Sequence, residues 1–209
     1  DELLANTAVI IPELLAGLPY KFYVCSSIDA LVHATESYVS PKSNVYTEIY
    51  AHAAIKVIID VFKGLAKNGP EYRKERFEDM LVASNFAGIA FGNTGVGAVH
   101  ALSYPLGGTY HVPHGESNYQ FFTAVFELYH KKQPKGKIEV GCGVSEVYVK
   151  LDELLGHLLS KNQLRTYGMK ESEIDEFTDS VIAKQQRLLA NNYVPLSREE
   201  IRSVFQRLY

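Results

Sequence analysis

The chain has 209 residues, enough for a sizeable buried core in one large or two small domains, and its 46% hydrophobic and 22% charged residues are typical of a soluble globular protein. A net charge of -3 gives no electrostatic basis for binding nucleic acid or an anionic membrane surface. No apolar run approaches the roughly 20 residues that span a bilayer, and the first residues lack the features of a secretory signal. We therefore expect a cytoplasmic protein in which Cys25 and Cys142 are free thiols.

The first predicted element is a strand. Residues 7–11, TAVII, form a short β-branched run that ends at Pro12. A single strand cannot make a sheet, so its partners should lie outside this stretch of chain. The beginning of the sequence therefore looks like a cut made inside a larger protein.

From residue 26 the apolar residues follow helical spacing. We predict one helix that is capped by Ser26 or Ser27 and stopped by Pro41. A second should begin near Asn44 and end at 68–70, Asn-Gly-Pro, and a third should run from about residue 71 to 91.

A glycine-rich break follows at 92–97, GNTGVG, and superficially resembles a dinucleotide fingerprint. No strand precedes it and the third glycine is missing, so we interpret it as the start of a helix capped by Asn93 or Thr94. This short helix should close at 107–108, Gly-Gly.

Four more helices complete the predicted all-α fold. One should begin at Pro113-His114 and run to about Tyr129, followed by a surface loop at 131–143. The others fit 144–160, 171–190 and 197–208, the last opening with the capping box Ser197-Arg198-Glu199-Glu200.

Four residues in this helical pattern could hold a metal. Asp29 and His33 are spaced i, i+4, which places a carboxylate and an imidazole on one helix face. His100 and His114 flank the glycine pair at 107–108 and could complete the ligand set. Three imidazoles and one carboxylate suit Zn²⁺ or Fe²⁺ better than Ca²⁺ or Mg²⁺. Spacing alone also allows a simple hydrogen-bonded Asp–His pair.

Three segments resemble a known family, the iron-containing (group III) alcohol dehydrogenases. Residues 28–38, IDALVHATESY, resemble the first metal motif of that family, and 99–108, VHALSYPLGG, followed by 113–115, PHG, resemble its second. Residues 11–19, IPELLAGLP, resemble the link between its two domains.

The resemblance implies a dehydroquinate synthase-like fold, in which an active site lies between a dinucleotide-binding domain and a C-terminal all-helical domain. Residues 1–24 are then a remnant of the first domain and the interdomain link, and residues 25–209 the helical metal-binding domain. The metal ligands carried over from the family are Asp29, His33, His100 and His114, which would hold Fe²⁺ or Zn²⁺. NAD would be bound mainly by the missing N-terminal domain, and no cofactor-binding residue is assigned in this chain.

Tyr104 marks a departure from the family pattern. Many members have a second His at this position, where it is thought to relay protons. Tyr104 lies on the same helical face as His100 and carries a titratable hydroxyl, so it could orient the substrate or pass a proton, or simply pack as a core aromatic. His111 is a second candidate for either role, or for holding a substrate carboxylate.

Within the family, residues 102–105, LSYP, and 111–118, HVPHGESN, look most like the 4-hydroxybutyrate dehydrogenases. The implied reaction is reversible hydride transfer between NAD(H) and the pair 4-hydroxybutyrate and succinate semialdehyde. We expect a homodimer or higher oligomer, and no dehydrogenase activity from residues 1–209 alone. Three alternatives stay open: a family member acting on another alcohol (1,3-propanediol, butanol or lactaldehyde type), a metal-dependent hydrolase with Glu36 or Glu116 as general base, and a non-catalytic helical module.

Overall fold

The computed structural model describes residues 6–137 and 147–209. Within these ranges the helices are α1 (Tyr20–Val39), α2 (Val45–Asn68), α3 (Phe77–Thr94), α4 (Ala98–Tyr110), α5 (His114–Lys132), α6 (Val147–Leu158), α7 (Glu173–Lys184), α8 (Gln186–Leu189) and α9 (Arg198–Leu208). Short 3₁₀ turns lie at Pro12–Gly17, Pro70–Glu75 and Leu164–Tyr167. The described residues contain no strand, so the all-α prediction is confirmed.

The strand predicted at 7–11 is not formed within the described residues. Its residues are exposed, and although Ile11 has an extended backbone (φ -126°, ψ 91°), the segment pairs with no other strand in the described part of the chain. Extended backbone without a neighbouring strand lacks the ladder of hydrogen bonds that defines a sheet.

Helix α1 lies at the centre of the fold and packs against α2, α3 and α5. It begins at Tyr20, after Pro19, and not at the predicted caps Ser26 and Ser27. Because 13 of its 20 residues are buried, its sequence has apolar residues on nearly every face and no single polar stripe that would reveal where it begins. The helix that carries Asp29 and His33 is therefore held on several sides.

Helix α2 begins as predicted. The Asn44 side chain accepts hydrogen bonds from the amides of Tyr46 (3.0 Å) and Thr47 (3.3 Å), and the Thr47 hydroxyl accepts from the Asn44 amide at 2.9 Å. The helix ends at Gly69, whose φ of 84° is left-handed. The third predicted helix is divided, because the 3₁₀ turn Pro70–Glu75 precedes α3.

The boundaries around α4 differ from the prediction at both ends. Asn93 and Thr94 do not cap α4: they end α3, where their side chains donate to the carbonyls of Ile89 (2.8 Å) and Ala90 (3.3 Å). At its other end, α4 continues through the glycine pair at 107–108 to Tyr110. It stops at His111, which has a left-handed backbone with φ 55°.

The C-terminal helices pack against α2, α4 and α5. Helix α6 contacts α2 and α5, and α9 packs on α5 and α7. The helix predicted for 171–190 is interrupted at Gln185 and gives α7 and α8. The capping box of α9 is confirmed: Ser197 Oγ accepts from the Glu200 amide (3.2 Å), and Glu200 accepts from the Ser197 amide (2.7 Å).

Parts of several predictions lie outside the described residues, among them 144–146 of the helix predicted at 144–160, of which Val147–Leu158 is observed as α6. The predicted loop at 131–143 overlaps the end of α5 at 131–132, and its residues from 138 onward lie outside, as does Cys142. Cys25 is a free thiol in the core, and burial raises its pKa to about 11. Among the helices that the structure describes, none has the length and apolar character needed to cross a membrane.

Candidate metal centre

Three helices bring together the four residues that the sequence singles out as ligands. Helix α1 supplies Asp29 and His33 one turn apart, α4 supplies His100 from its first turn, and α5 begins with His114. Each offers one ligand atom, and these atoms all lie within 4.8 Å of one another. We call this set the four-residue cluster.

Asp29 lies between two of the imidazoles. Its Oδ1 is 3.7 Å from Nε2 of His100 and 3.7 Å from Nε2 of His114. Ligand atoms bonded to one tetrahedral ion at about 2.1 Å lie about 3.4 Å apart, so these separations are close to those of a metal site. The His33 ring stacks on Phe91 and on His100, with centroid separations of 4.1 Å and 4.7 Å.

The donor atoms fit a divalent transition metal. Burial lowers the pKa of His33 to about 4, an effect that the carboxylate of Asp29 opposes, so this imidazole is neutral near pH 7 and has a free lone pair. His100 is 2% exposed, and its Nε2 has no hydrogen-bond partner among the described residues. A buried polar nitrogen without a partner is costly, and a metal ion would satisfy it. Neutral imidazoles and one carboxylate form a ligand set that accepts either iron or zinc.

Gly115 allows α5 to approach α1 closely beside the cluster. A Cβ atom at this position would lie 2.4 Å from the Cys25 carbonyl oxygen and 3.3 Å from the Asp29 Cβ. Since backbone cannot move aside as a flexible side chain can, only glycine fits here. The close approach places His114 beside Asp29.

Asn118 is hydrogen-bonded to Asp29 of the cluster. It is fully buried, and its Nδ2 donates to Asp29 Oδ1 at 2.6 Å and lies 3.2 Å from His114 Nε2. Its Oδ1 accepts from the Ser103 hydroxyl at 2.5 Å. Asn118 was not identified as a site residue from the sequence, although its position one turn after His114 places it on the same face of α5.

Glu36 contacts the cluster through His100. It is 2% exposed, its Oε2 lies 2.7 Å from Nδ1 of His100, and it accepts hydrogen bonds from the amides of Gly97 and Val99. The sequence had indicated Glu36 only as a possible general base. Its position three residues after His33, on the same side of one helix, is the signal that could have linked it to the cluster.

Tyr104 lies near the cluster and His111 lies at the far end of the same helix. The Tyr104 ring centroid is 6.3 Å from that of His114. Burial raises the pKa of the Tyr104 hydroxyl, and the charge of Arg187 opposes that shift. His111 is exposed and follows the last turn of α4, whereas His100 lies in its first turn.

The cluster is accessible from one side. The His114 side chain is 50% exposed, whereas the Asp29 side chain is 16% exposed and that of His100 is 2% exposed. Tyr104 is also partly exposed. A small molecule could therefore reach the cluster along the face formed by His114 and Tyr104.

Comparisons with known proteins identify the family of this chain. Residues 23–209 match the profile of the Fe-containing alcohol dehydrogenase family, C-terminal. The chain is 55% identical over its whole length to 4-hydroxybutyrate dehydrogenase of Clostridium kluyveri, of which it covers 59%, and 32% identical to Long-chain-alcohol dehydrogenase 1 of Geobacillus thermodenitrificans, of which it covers 55%.

Solved structures show the same fold. A crystal structure of 1,3-propanediol oxidoreductase superposes with a TM-score of 0.82 at 26% identity, over 95% of this chain and 54% of that one. An iron-containing alcohol dehydrogenase from Thermococcus thioreducens has the same TM-score at 24% identity, over 97% of this chain and 54% of its own. The chain therefore spans little more than half the length of these relatives. Together, the profile match, the whole-length identity and the shared fold show that the chain belongs to the Fe-containing alcohol dehydrogenase family, whose C-terminal domain it contains.

Proposed function

We propose that this chain is the metal-binding and substrate-binding part of an NAD-dependent alcohol dehydrogenase that interconverts 4-hydroxybutyrate and succinate semialdehyde. The observation that carries the proposal is the four-residue cluster, whose ligand atoms converge within 4.8 Å and whose His114 side chain is exposed beside Tyr104. The choice of substrate is supported by the 55% identity to the Clostridium kluyveri enzyme of that name.

Each residue at the site has a separate task in this proposal. A bound Fe²⁺ or Zn²⁺ would supply Lewis acidity that polarises the substrate oxygen. The four-residue cluster would hold the ion, and Asn118 would keep the Asp29 carboxylate oriented toward it. The family name favours iron, while the ligands alone accept both metals. NAD would be bound mainly by the part of the relatives that this chain does not match.

Tyr104 is the proposed proton donor and acceptor at the substrate oxygen. Its hydroxyl is partly exposed and its ring lies beside His114, on the accessible side of the cluster. Burial raises the pKa of this hydroxyl, which favours the protonated form that donates to the substrate oxygen, and the positive charge of Arg187 opposes this shift. His111 is exposed at the other end of α4 and is the less favoured candidate for this step.

Arg187 is the proposed partner of the substrate carboxylate. It is exposed on α8, which packs against α4. Its positive charge opposes the rise in the pKa of the Tyr104 hydroxyl. A guanidinium binds a carboxylate with two parallel hydrogen bonds, and 4-hydroxybutyrate has a carboxylate at the end opposite its alcohol. His111, a candidate for this role from the sequence, is the alternative.

A chimera tests the function directly. This chain would replace the matching portion of the Clostridium kluyveri enzyme, so that the relative supplies the remaining part. We expect reduction of NAD⁺ with 4-hydroxybutyrate, loss of that activity in Asp29→Asn, and none from residues 1–209 alone. The surface variant Asp152→Asn, which removes the ion-pair partner of Lys161, is the control for loss of a carboxylate. An active Asp29→Asn chimera, or turnover by residues 1–209 alone, would contradict the proposal.

In the hydrolase alternative, Glu36 or Glu116 would act as general base, but both carboxylates already have partners. Glu36 accepts hydrogen bonds with both carboxylate oxygens, and Glu116 is buried, paired with Lys21 at 2.7 Å and bonded to the Tyr167 hydroxyl at 3.0 Å. Neither carboxylate is free to activate water. Metal analysis of the purified chain tests the non-catalytic alternative, which would be favoured by the absence of stoichiometric Zn or Fe and by an unchanged metal content in His100→Ala.

A further inference from the structure

Glu36 connects α1 to the beginning of α4. Its Oε2 accepts a hydrogen bond from the Gly97 amide at 2.9 Å, and its Oε1 accepts one from the Val99 amide at 2.7 Å. These amides lie at a helix start whose N-cap residue provides no side-chain hydrogen bond. The first amides of a helix have no partner within it. Glu36 therefore caps the start of α4, although it belongs to a different helix.

The third contact of Glu36 determines where the His100 ring carries its proton. Oε2 lies 2.7 Å from His100 Nδ1, and a carboxylate offers acceptors only, so Nδ1 must carry the hydrogen. A neutral imidazole protonated on Nδ1 has its lone pair on Nε2. That Nε2 is buried, has no hydrogen-bond partner among the described residues, and lies 3.7 Å from Asp29 Oδ1. The lone pair is thus directed into the four-residue cluster.

We propose that Glu36 is a positioning residue that both fixes the start of α4 and holds His100 in its Nδ1–H form, so that docking of α4 on α1 prepares Nε2 to bind the metal. The part of this proposal that concerns metal binding rests on the proposed function above. The part that concerns the position of the proton does not, because it follows from the hydrogen bonds of the chain itself.

Glutamine cannot reproduce this arrangement, although it has nearly the same shape. Three N–H groups, those of Gly97, Val99 and His100, face the two oxygens of Glu36. An amide has one acceptor oxygen and one NH₂ donor. If the NH₂ replaces Oε2, it opposes the Gly97 N–H and makes His100 Nδ1 an acceptor, which moves the ring proton to Nε2. If it replaces Oε1, it opposes the Val99 N–H and the cap is broken.

The test compares the wild-type chain with Glu36→Gln in the metal-free state and during metal titration. Histidine rings labelled with ¹⁵N would give the proton position of His100 from long-range ¹H–¹⁵N correlations at about pH 8, where histidines are neutral. The signals of His100 are identified by their absence from His100→Gln. We expect Nδ1–H in the wild type, Nε2–H in Glu36→Gln, and an affinity for Co²⁺ that is about 10- to 100-fold lower in the variant.

Two variants separate positioning from a general loss of stability. Asn44→Ala and Ser197→Ala remove the caps of α2 and α9, whose capping contacts do not involve the four-residue cluster. Both should lower Tm and leave the affinity for Co²⁺ and the His100 proton unchanged. Glu36→Asp shortens the side chain by one methylene group but keeps its acceptors, so it should retain the Nδ1–H form while binding Co²⁺ more weakly than the wild type.

Three results would overturn the proposal: a wild-type His100 with its proton on Nε2, a Glu36→Gln chain that keeps both proton position and affinity, or a Glu36→Gln chain whose His100 proton moves to Nε2 without loss of affinity for Co²⁺. If Glu36→Gln does not fold, the proposal is tested by the position of the His100 proton in the wild type and in Glu36→Asp. A wild-type chain that binds no Co²⁺ would instead contradict the proposed function, and the metal-free spectra would still test how Glu36 positions His100.

Discussion

Arg187 is the residue on which the proposed substrate preference depends. In the chimera with the Clostridium kluyveri relative, Arg187→Ala should raise KM for 4-hydroxybutyrate about 10- to 100-fold, because a charge-assisted hydrogen bond contributes about 1.5–3 kcal/mol. KM for 1-butanol, which has no carboxylate, should stay unchanged. Steady-state kinetics with both alcohols measure the difference, and Lys184→Ala is the control for loss of a nearby exposed cation. Equal effects on both alcohols would assign the carboxylate to another residue, such as His111.

Tyr104 is tested by removing a single oxygen atom. Tyr104→Phe keeps the ring beside His114 and removes the hydroxyl, so kcat should fall about 100-fold or more if the hydroxyl transfers the proton. KM and the metal content should change little. Tyr110→Phe is a control on the same helix, since its hydroxyl donates to Glu173 and has no proposed role in the reaction. An unchanged kcat in Tyr104→Phe would leave Tyr104 as a packing residue.

At the scale of single residues, the sequence was sufficient to predict that the four side chains of the cluster converge, but not which residues support them. Motifs around Asp29 and His100 carried enough pattern to predict the four-residue cluster. The contacts of Glu36 with the start of α4 join residues 61 to 64 positions apart, and no local spacing encodes such a contact. Asn118 was missed because a buried asparagine has no characteristic spacing and is recognised only from its partners.

At the scale of helices, the close approach of α5 to α1 sets the geometry of the site. Gly115→Ala would place a Cβ 2.4 Å from the Cys25 carbonyl oxygen, so α5 must shift away from α1 and carry His114 away from Asp29. We expect destabilisation of about 1–3 kcal/mol together with loss of metal binding. Denaturant unfolding and a Co²⁺ titration measure the two effects.

Gly156→Ala is the matched control for that substitution. Gly156 is exposed on α6, and a Cβ there meets no atom within 4 Å. This variant should be more stable by about 0.5–1 kcal/mol, because alanine favours helix more than glycine does, and metal binding should not change. Unaltered metal binding in Gly115→Ala would show that the close helix approach is not needed for the site.

The helices themselves were predictable where local signals mark their ends. The starts of α2, near Asn44, and of α9, at the capping box of Ser197, were predicted correctly. The start of α1 was missed because a helix buried on most sides shows no amphipathic period. The glycine pair at 107–108 was read as a helix end, but packing of α4 against α5 carries the helix through it.

At the scale of the whole molecule, metal binding should stabilise the folded chain. A ligand that binds only the folded state at a concentration of about 100 times its Kd contributes about 2.7 kcal/mol. For a chain of this size that corresponds to a rise in Tm of roughly 5–10 °C. Thermal unfolding followed by circular dichroism, before and after treatment with EDTA and after adding Fe²⁺ or Zn²⁺ back, measures the change. An unchanged Tm across the three states would speak against a metal site.

The predicted oligomeric state also belongs to this scale and stays a prediction. Several large apolar side chains on α2 and α3 are exposed, namely Val45, Tyr46, Ile49 and Ile89. Analytical ultracentrifugation of the purified chain would determine whether it forms the homodimer or higher oligomer expected from the sequence.

The wide separation of the ligands along the chain has a consequence for biosynthesis. Asp29 and His33 leave the ribosome long before His100 and His114, and the last two reach the first two only after α4 and α5 have packed on α1. A carboxylate and one imidazole on an isolated helix offer a metal too few ligands to retain it. The ion would therefore enter a domain that has already folded, late in the life of the nascent chain. Cellular metal supply would then determine how much of the folded protein carries the ion.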